Sequence, residues 1–444
     1  MPIKMCAVGG YGEVGRNMTA IKVDNEVVIL DMGIHVSNYI KLTQDEDIKN
    51  IKVDELHQAN AIPNDSTIKD WKNDVIAIMP THAHLDHVAS IPFLASKYNA
   101  PVIATPFTIE VLKAILRDEK IALPNKLKVV NPNSKIKLSK NIEAEFINIT
   151  HSTPQSAMIA IHTKYGTIIY ANDYKFDLTP TLGQKPNIAR LKQIGKGNVL
   201  ALIVESLYSN DHIKMPSEAL AKHMLNEVIL GTDNKNQLII VTTFSSHIAR
   251  LKAIIEAGKK INRKIVFLGR SLAKYVYAAE DVKIVNFSKD VEIVKYSSKI
   301  QKRLRNIKDK ERNKYLLVIT GHQAEPQATL AKIVHNDIKF GLKKDDQIIF
   351  ASKVIPTKDN QDNYAVLTKR LKSQGVRIFE RIHVSGHAGR EDLRDLINYV
   401  KPKYVIPSHG ESKMENGLKS LALEMGYKKD KILLLKNAQR ALLK

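Results

Sequence analysis

The sequence predicts an α/β protein in which a sheet-on-sheet sandwich flanked by helices gives way, from about residue 200, to a doubly wound parallel sheet. Three observations carry this expectation. The first half is a succession of short β-branched runs broken by Gly, Asn or Pro, the pattern of many short strands. The second half alternates unbroken apolar strands with helical stretches, as parallel strands covered on both faces require. The 444 residues, 44% of them hydrophobic, suffice for about two to four domains with substantial cores.

In chain order, Lys4–Val8, Ala20–Val23, Val27–Asp31, Val75–Met79, Val102–Thr105, Glu145–Thr150, Met158–Thr163 and Thr167–Ala171 are the expected strands of the sandwich. Pro106–Glu119 is an expected helix, and the polar stretch Asn50–Asp74 an expected surface insertion. Beyond residue 200 the strands are Val199–Glu205, Gln237–Thr243, Lys264–Leu268, Tyr315–Thr320 and Gln347–Ala351, with helices at Ser217–Leu230 and Ile248–Ala257. Small polar residues or Gly follow these strands: Phe244-Ser245-Ser246-His247, Gly269-Arg270-Ser271, Gly321-His322-Gln323 and Ser352-Lys353. Singly these are ordinary turn residues. Together they mark the carboxyl ends of parallel strands, where open α/β sheets bind ligands.

Composition narrows the partners. A formal charge of +22 favours either a polyanion-binding surface or a Lys-rich surface kept soluble by self-repulsion. Lys295–Lys314, with nine basic and two acidic residues, is expected on a helix, where a solvated face is the default and a nucleic-acid contact the alternative. Apolar runs such as Val27–Leu30 and Leu238–Thr242 fall far short of the ~20 residues of a membrane span. Met1–Gly10 lacks the apolar core of a signal peptide. The single cysteine, Cys6, leaves no internal disulfide and no Cys-rich zinc module, and is expected to be buried in a strand. The expectation is a soluble, cytoplasmic protein whose metal sites, if any, are built from its 15 histidines and its carboxylates.

One segment supplies such a site. Thr81-His82-Ala83-His84-Leu85-Asp86-His87 follows the strand Val75–Met79 and precedes a helical pattern starting near Val88. Packing does not explain four potential ligands in six residues. In extended geometry His82 and His84 point to one side, and a turn lets Asp86 and His87 face a second ion. Imidazole and carboxylate suit zinc, with manganese an alternative. Further candidates follow other strands: His151, Asp173 and His409, with Asp31 placed to orient a ligating histidine from behind.

The HxHxDH segment with its later His, Asp and His resembles the metallo-β-lactamase superfamily, an αβ/βα sandwich with a di-metal site at its edge. The resemblance implies one ion on His82, His84 and His151, another on Asp86, His87 and His409, and Asp173 between them. The 236 residues from Asp173 to His409 exceed what a simple member needs, so a domain is inserted there. That insertion resembles the β-CASP cap of nucleic-acid-processing members, with matching motifs at Glu205, His387 and His409. Within that branch the chain is most similar to the RNase J family, on Gly9-Gly10-Tyr11-Gly12-Glu13-Val14-Gly15-Arg16-Asn17-Met18, Asp173-Tyr174-Lys175-Phe176-Asp177, Gly321-His322-Gln323-Ala324-Glu325-Pro326 and His383-Val384-Ser385-Gly386-His387-Ala388. With 35 residues after His409, the chain looks like the archaeal type and leaves a homodimer open. The expected organisation is a lactamase domain at 1–208, a doubly wound β-CASP cap at 209–372 and a lactamase return segment at 373–444.

The resemblance implies a zinc-dependent ribonuclease, most simply a 5′→3′ exonuclease on single-stranded RNA with a 5′-monophosphate. The alternative is an endoribonuclease of the cleavage-and-polyadenylation type. Two ions would activate water and clamp the phosphate, with Asp86 or Asp173 taking the water's proton. His387 would serve the leaving oxygen, oriented by Glu205. Ser245, Ser246, His247, Arg270, His322, Gln323, Ser352, His383 and Ser385 are candidates to grip phosphates or a terminal nucleotide.

Overall fold

A computed structural model describes residues 3–43, 51–354 and 358–444, which fall into two compact units. One comprises Met1–Leu178, Gln184–Met215 and Gly386–Lys444; the other comprises Thr179–Gly183 and Pro216–Ser385. The second unit thus runs on to Ser385, and the first resumes at Gly386. Arg377–Phe379, too short to stand out by pattern, pairs in parallel with Gln347–Phe350 and belongs to the second unit.

The first unit contains two sheets. A seven-stranded sheet runs in the order Arg440–Leu443, Ile3–Gly9, Met18–Val23, Glu26–Leu30, Val75–Met79, Val102–Ala104, Leu127–Val129. A six-stranded sheet runs Tyr404–Ser408, Val199–Glu205, Gly166–Ala171, Ala157–Thr163, Glu143–Asn148, Ser134–Lys137. Period-two alternation assigns the side chains of each strand to opposite faces. Val28, Leu30, Phe146, Ile159, Tyr170 and Ile203 share the core between the sheets. Their neighbours Ile147, Met158, Ile169 and Leu202 pack outward against Leu393, Leu396 and Ile397 of the helix Arg390–Val400 and Leu418 and Leu421 of the helix Ser412–Glu424. Each such side chain contributes about 1.5–3 kcal/mol by leaving water. The helix Pro106–Glu119 spans the expected residues and buries Phe107, Val111 and Leu112.

Three expectations are corrected. Asn50–Asp74 is not a plain surface insertion: a short helix, Val53–Gln58, and a 3-10 segment, Asp65–Asp74, bury Leu56, Ile68 and Trp71 (Asn50 itself lies outside the described residues). The helix expected near Val88 begins earlier, as one turn at Leu85–Val88 with His84 at its N-cap. The basic run Lys295–Lys314 is a helix only over Ser297–Arg305, followed by a 3-10 turn at Asp309–Lys314.

The second unit is built on a wholly parallel sheet, ordered Val291–Val294, Lys264–Leu268, Tyr315–Ile319, Ile239–Thr242, Gln347–Phe350, Arg377–Phe379. Ile240, Leu268, Leu317 and Ile348 join Leu330, Leu367 and Leu371 in one core. Ile239, Val241, Phe267 and Val318 point to the other face and are fully buried there too. Coverage of both faces is why these strands are unbroken apolar runs. No helix of the described residues is long and apolar enough to cross a membrane.

Candidate metal centre

The centre is assembled at strand ends within the first unit. Glu26–Leu30 and Val75–Met79 pair in parallel with Leu30 opposite Met79, so their carboxyl ends deliver Asp31 and the Thr81–His87 segment side by side. Asp31 is fully buried. Its Oδ1 accepts the Thr81 backbone N–H at 2.7 Å and the Thr81 hydroxyl at 2.9 Å, and its Oδ2 lies 2.7 Å from His87 Nδ1. The chain can pass this close only because residue 33 is glycine: a Cβ there would lie 1.6 Å from the Asp86 carbonyl oxygen.

Each backing contact fixes which imidazole nitrogen keeps its lone pair. A carboxylate behind His87 Nδ1 leaves Nε2 to face inward. His151 Nδ1 lies 2.7 Å from the Gly386 carbonyl oxygen, which can only accept, so His151 Nε2 carries the lone pair. Thr81 Oγ1, already donating to Asp31, sits 3.0 Å from His82 Nδ1 and accepts from it, freeing His82 Nε2. The inward nitrogens converge: His84 Nδ1 is 3.0 Å from His82 Nε2 and 3.1 Å from His151 Nε2.

Asp173 sits against both halves of the cluster. Its Oδ2 lies 3.4 Å from His82 Nε2, 3.6 Å from His151 Nε2 and 3.2 Å from His87 Nε2. Its Oδ1 lies 3.3 Å from His409 Nε2 and, though buried, has no hydrogen-bond partner among the described residues. Asp86 Oδ2 is 3.6 Å from His87 Nε2 and 3.7 Å from His409 Nε2. Two donor sets result, His82, His84, His151, Asp173 and Asp86, His87, Asp173, His409, with their ligand atoms within 4.8 Å of one another. Asp31, Asp173 and His409 have positive φ values of 58°, 58° and 46°, strain of the kind that gathers at functional sites.

These residues fit metal ions. Ligand atoms held ~2.0–2.1 Å from a tetrahedral zinc lie about 3.3–3.4 Å apart, the middle of the range seen here. Asn17 Nδ2 and the Ser152 hydroxyl each reach one inward imidazole nitrogen, at 3.1 and 3.2 Å, but no hydrogen-bond donor among the described residues reaches the buried Asp173 Oδ1, an oxygen that a cation would satisfy. Protonation follows the same division. Burial, then the neighbouring imidazoles, holds His84 and His151 well below the usual histidine range, and burial and His87 lower His82, leaving all three neutral. For His87 burial opposes the charge, but the carboxylates of Asp173, Asp31 and Asp86 raise it well above that range. Asp173 is disfavoured as an anion by burial, yet His409, His87 and His387 hold its carboxyl well below the ordinary value.

A second feature lies at the edge of the cluster. Glu205, the last residue of Val199–Glu205 and fully buried, accepts the backbone N–H groups of Tyr174 at 2.9 Å and Ala388 at 3.2 Å through Oε1. Its Oε2 is 2.8 Å from His387 Nδ1, and that nitrogen is 3.9 Å from Asp173 Oδ1. Burial works against a charged His387, but Glu205 and Asp173 push it up to about 10.

The expected phosphate-gripping residues all lie in the second unit. Ser245 and Ser271 hydroxyls are 2.9 Å apart, the His322 ring lies 4.1 Å from the Phe244 ring, and Gln323 donates to the Lys353 carbonyl at 3.0 Å. Arg270 opens the helix Arg270–Asp281, and Ser352 is buried with its hydroxyl unpartnered among the described residues. Ser246 and Ser385 are buried, and His247 turns toward Glu218, its Nε2 3.4 Å from Oε2. Sequence reasoning did not find Thr81, Gly386 or Ser152, whose hydroxyl is 3.2 Å from His151 Nε2 and 3.4 Å from His84 Nε2. Adjacency to His82, His387 and His151 was the only signal they carried.

Comparison with known proteins agrees with this geometry. Residues 11–187 match the metallo-beta-lactamase superfamily, residues 236–368 the ribonuclease J beta-CASP domain, and residues 376–432 a Zn-dependent metallo-hydrolase RNA specificity domain. The chain is 42% identical to a ribonuclease J of Methanocaldococcus jannaschii, over 99% of this chain and 98% of that one. It is 38% identical to a ribonuclease J of Pyrococcus abyssi, over 96% and 93% respectively, and 30% identical to ribonuclease J 1 of Streptococcus pyogenes, over 97% and 72%. A crystal structure of a protein of unknown function from Enterococcus faecalis V583 shares the fold, with a TM-score of 0.69 at 17% identity over both whole chains.

Proposed function

The chain belongs to the ribonuclease J family, and we propose that it is a metal-dependent ribonuclease that removes nucleotides from single-stranded RNA in the 5′→3′ direction, with a preference for a 5′-monophosphate. The observation that carries this reading is the pair of converging donor sets sharing Asp173, with the Glu205–His387 pair beside them. The charge of +22 and the names of the full-length relatives support RNA as the substrate.

His82, His84 and His151 would hold one divalent ion and Asp86, His87 and His409 the other, with Asp173 serving both. Zinc suits this set and manganese is the alternative. When bound, the ions supply Lewis acidity and a water acidic enough to attack phosphorus at neutral pH. The chain's own residues do the rest. Asp31, Thr81 and the Gly386 carbonyl hold three imidazole rings in the tautomer that offers a lone pair. Asp86, the more exposed of the two carboxylates, takes the proton of the attacking water. His387, held at Nδ1 by Glu205, donates from Nε2 to the 3′ oxygen as its bond to phosphorus breaks. One water is consumed, a nucleoside 5′-phosphate leaves, and the shortened strand again ends in a 5′-phosphate. The cytoplasm, where RNA decay and maturation proceed, is the proposed setting.

The test is digestion of one RNA sequence carrying a labelled 5′-monophosphate, 5′-triphosphate or 5′-hydroxyl. Mononucleotides released fastest from the monophosphate are expected. Discrete internal fragments, indifferent to the 5′ end, would replace this reading with the endonuclease one. His84→Ala and Asp86→Ala should abolish cleavage while leaving RNA binding in place.

A further inference from the structure

We propose that Asn172 and Ser408 are positioning residues: a buried side-chain strap that fixes Asp173 and His409 relative to one another and so sets the affinity for one ion of the pair. The proposal rests on the two-ion reading of the donor sets.

Asp173 and His409 reach the centre from strands that are not neighbours. In the six-stranded sheet, Val199–Glu205 lies between Gly166–Ala171 and Tyr404–Ser408. Adjacent strands run about 4.8 Å apart, so backbone pairing alone leaves the two outer strand ends roughly 10 Å from each other. Both ligands also have positive φ, which a residue other than glycine keeps only where its surroundings over-determine it. The residues immediately before them supply a direct tie. The Ser408 hydroxyl donates to Asn172 Oδ1 at 2.8 Å, past the end of the middle strand. The Ser408 carbonyl accepts the hydroxyl of Ser206, the first residue after that middle strand, at 3.0 Å.

The tie runs on toward Asp86. Asn172 Nδ2 donates to the Tyr170 hydroxyl at 2.8 Å and, at the longer distance of 3.5 Å, to Asn17 Oδ1. Asn17 Nδ2 and the Asn17 backbone N–H both donate to the Asp86 carbonyl at 3.1 Å. Asn17 packs so closely on Gly10 that a Cβ at residue 10 would lie 2.4 Å from Asn17 Oδ1. The Gly10 carbonyl accepts the His409 backbone N–H at 2.6 Å. The run Gly9–Met18, which has no part in the proposed reaction, thus brings one amide and one carbonyl against the segments that carry Asp86 and His409.

The residue types fit this use. Asn17, Asn172 and Ser408 are almost wholly buried, and polar groups so far from water are destabilising unless they are bonded. An amide offers a donor and an acceptor without charge. A carboxylate at residue 172 could accept from Ser408 but could not donate to Tyr170 or Asn17, and would add an anion beside Asp173. His409 belongs to only one of the two donor sets. The other set is held from behind by Thr81 and the Gly386 carbonyl, which the strap does not touch.

Stepwise transfer of zinc from the full-length protein to a chromogenic chelator tests this. Ser408→Ala should weaken one of the two ions about tenfold, the scale for losing a group that orients a metal ligand, and leave the other within about threefold. Asn172→Ala should show the same selective loss. The double variant should be no weaker than the weaker single one, because each change removes the same bond. Ser408→Thr, which keeps the hydroxyl, should stay within about threefold of the wild type. Losses that multiply in the double variant, equal weakening of both ions, or a Thr variant as weak as the Ala one would overturn the proposal. Wild-type affinity in both alanine variants would overturn it too, while leaving the two-ion reading intact. A wild-type chain that takes up no zinc would refute that reading and the strap's role with it.

Discussion

Replacing Asp31 by Asn isolates the role of one oxygen atom. In the variant, Oδ1 can still accept both Thr81 donors, now at 2.7 and 2.9 Å, so the strand end keeps its anchor. Asn also tolerates the φ of 58° at this position, so the backbone adds no strain of its own. The change falls on Oδ2, which becomes an N–H donor 2.7 Å from His87 Nδ1. Two donors cannot face one another there, and the imidazole must move its hydrogen to Nε2, the nitrogen 3.2 Å from Asp173 Oδ2. Under the proposed assignment, its lone pair would then be lost to an ion held by Asp86, His87 and His409. Loss of such a backing carboxylate weakens metal affinity by about 10–100-fold, or about 1.4–2.7 kcal/mol. The His82, His84 and His151 rings keep their contacts, so one ion should be stripped at lower chelator concentration than the other. Competition between the variant and a chromogenic chelator measures this directly. Two ions held as tightly as in the wild type would refute the tautomer argument.

Three further outcomes are expected. Glu205→Gln preserves the acceptors for Tyr174 and Ala388 but turns a donor toward His387 Nδ1; single-turnover RNA cleavage should slow by about 10²-fold with metal content unchanged. Glu415 is pushed up to about 7 by burial, the Gly12 N–H at 2.7 Å only partly offsetting it. Its folded value lies above its unfolded one, so the folded chain holds the extra proton and stability falls as pH rises between about 4.3 and 7. Glu415→Gln should remove that slope and raise stability at pH 8 by up to about 3 kcal/mol, read from denaturant unfolding across pH. Lys299, Lys302 and Arg305 are exposed and have no carboxylate partner among the described residues. If they contact RNA phosphates, neutralising all three should make the slope of log binding constant against log salt shallower by about 2; an unchanged slope assigns that face to solvent.

The sequence was most legible where one chemistry or one period dominated. The His82–His87 segment announced itself because packing has no use for four ligand-type residues in a strand-end loop. The helix Pro106–Glu119 and the strands Val75–Met79, Val199–Glu205 and Lys264–Leu268 span the expected residues because turn signals bracket a uniform run. Illegible features depend on partners distant in the chain. Ile68 and Trp71 sit in a polar stretch and are buried only because the first sheet lies under them. Arg440–Leu443 is a strand because Ile3–Gly9 offers an open edge. Nothing local distinguishes Arg250 from the basic residues that give the chain its charge, and it is buried only because Glu218 and the Ala351 and Ile382 carbonyls are brought around it.

The most direct test of the central claim is to strip the protein with a chelator, restore zinc or manganese in steps, and follow bound metal per chain beside RNA cleavage. Two ions per chain are expected at saturation, with cleavage absent from the stripped protein and rising as the second ion binds. Cleavage at the full rate by stripped protein, or saturation without any bound metal, would contradict the assignment of the two donor sets around Asp173.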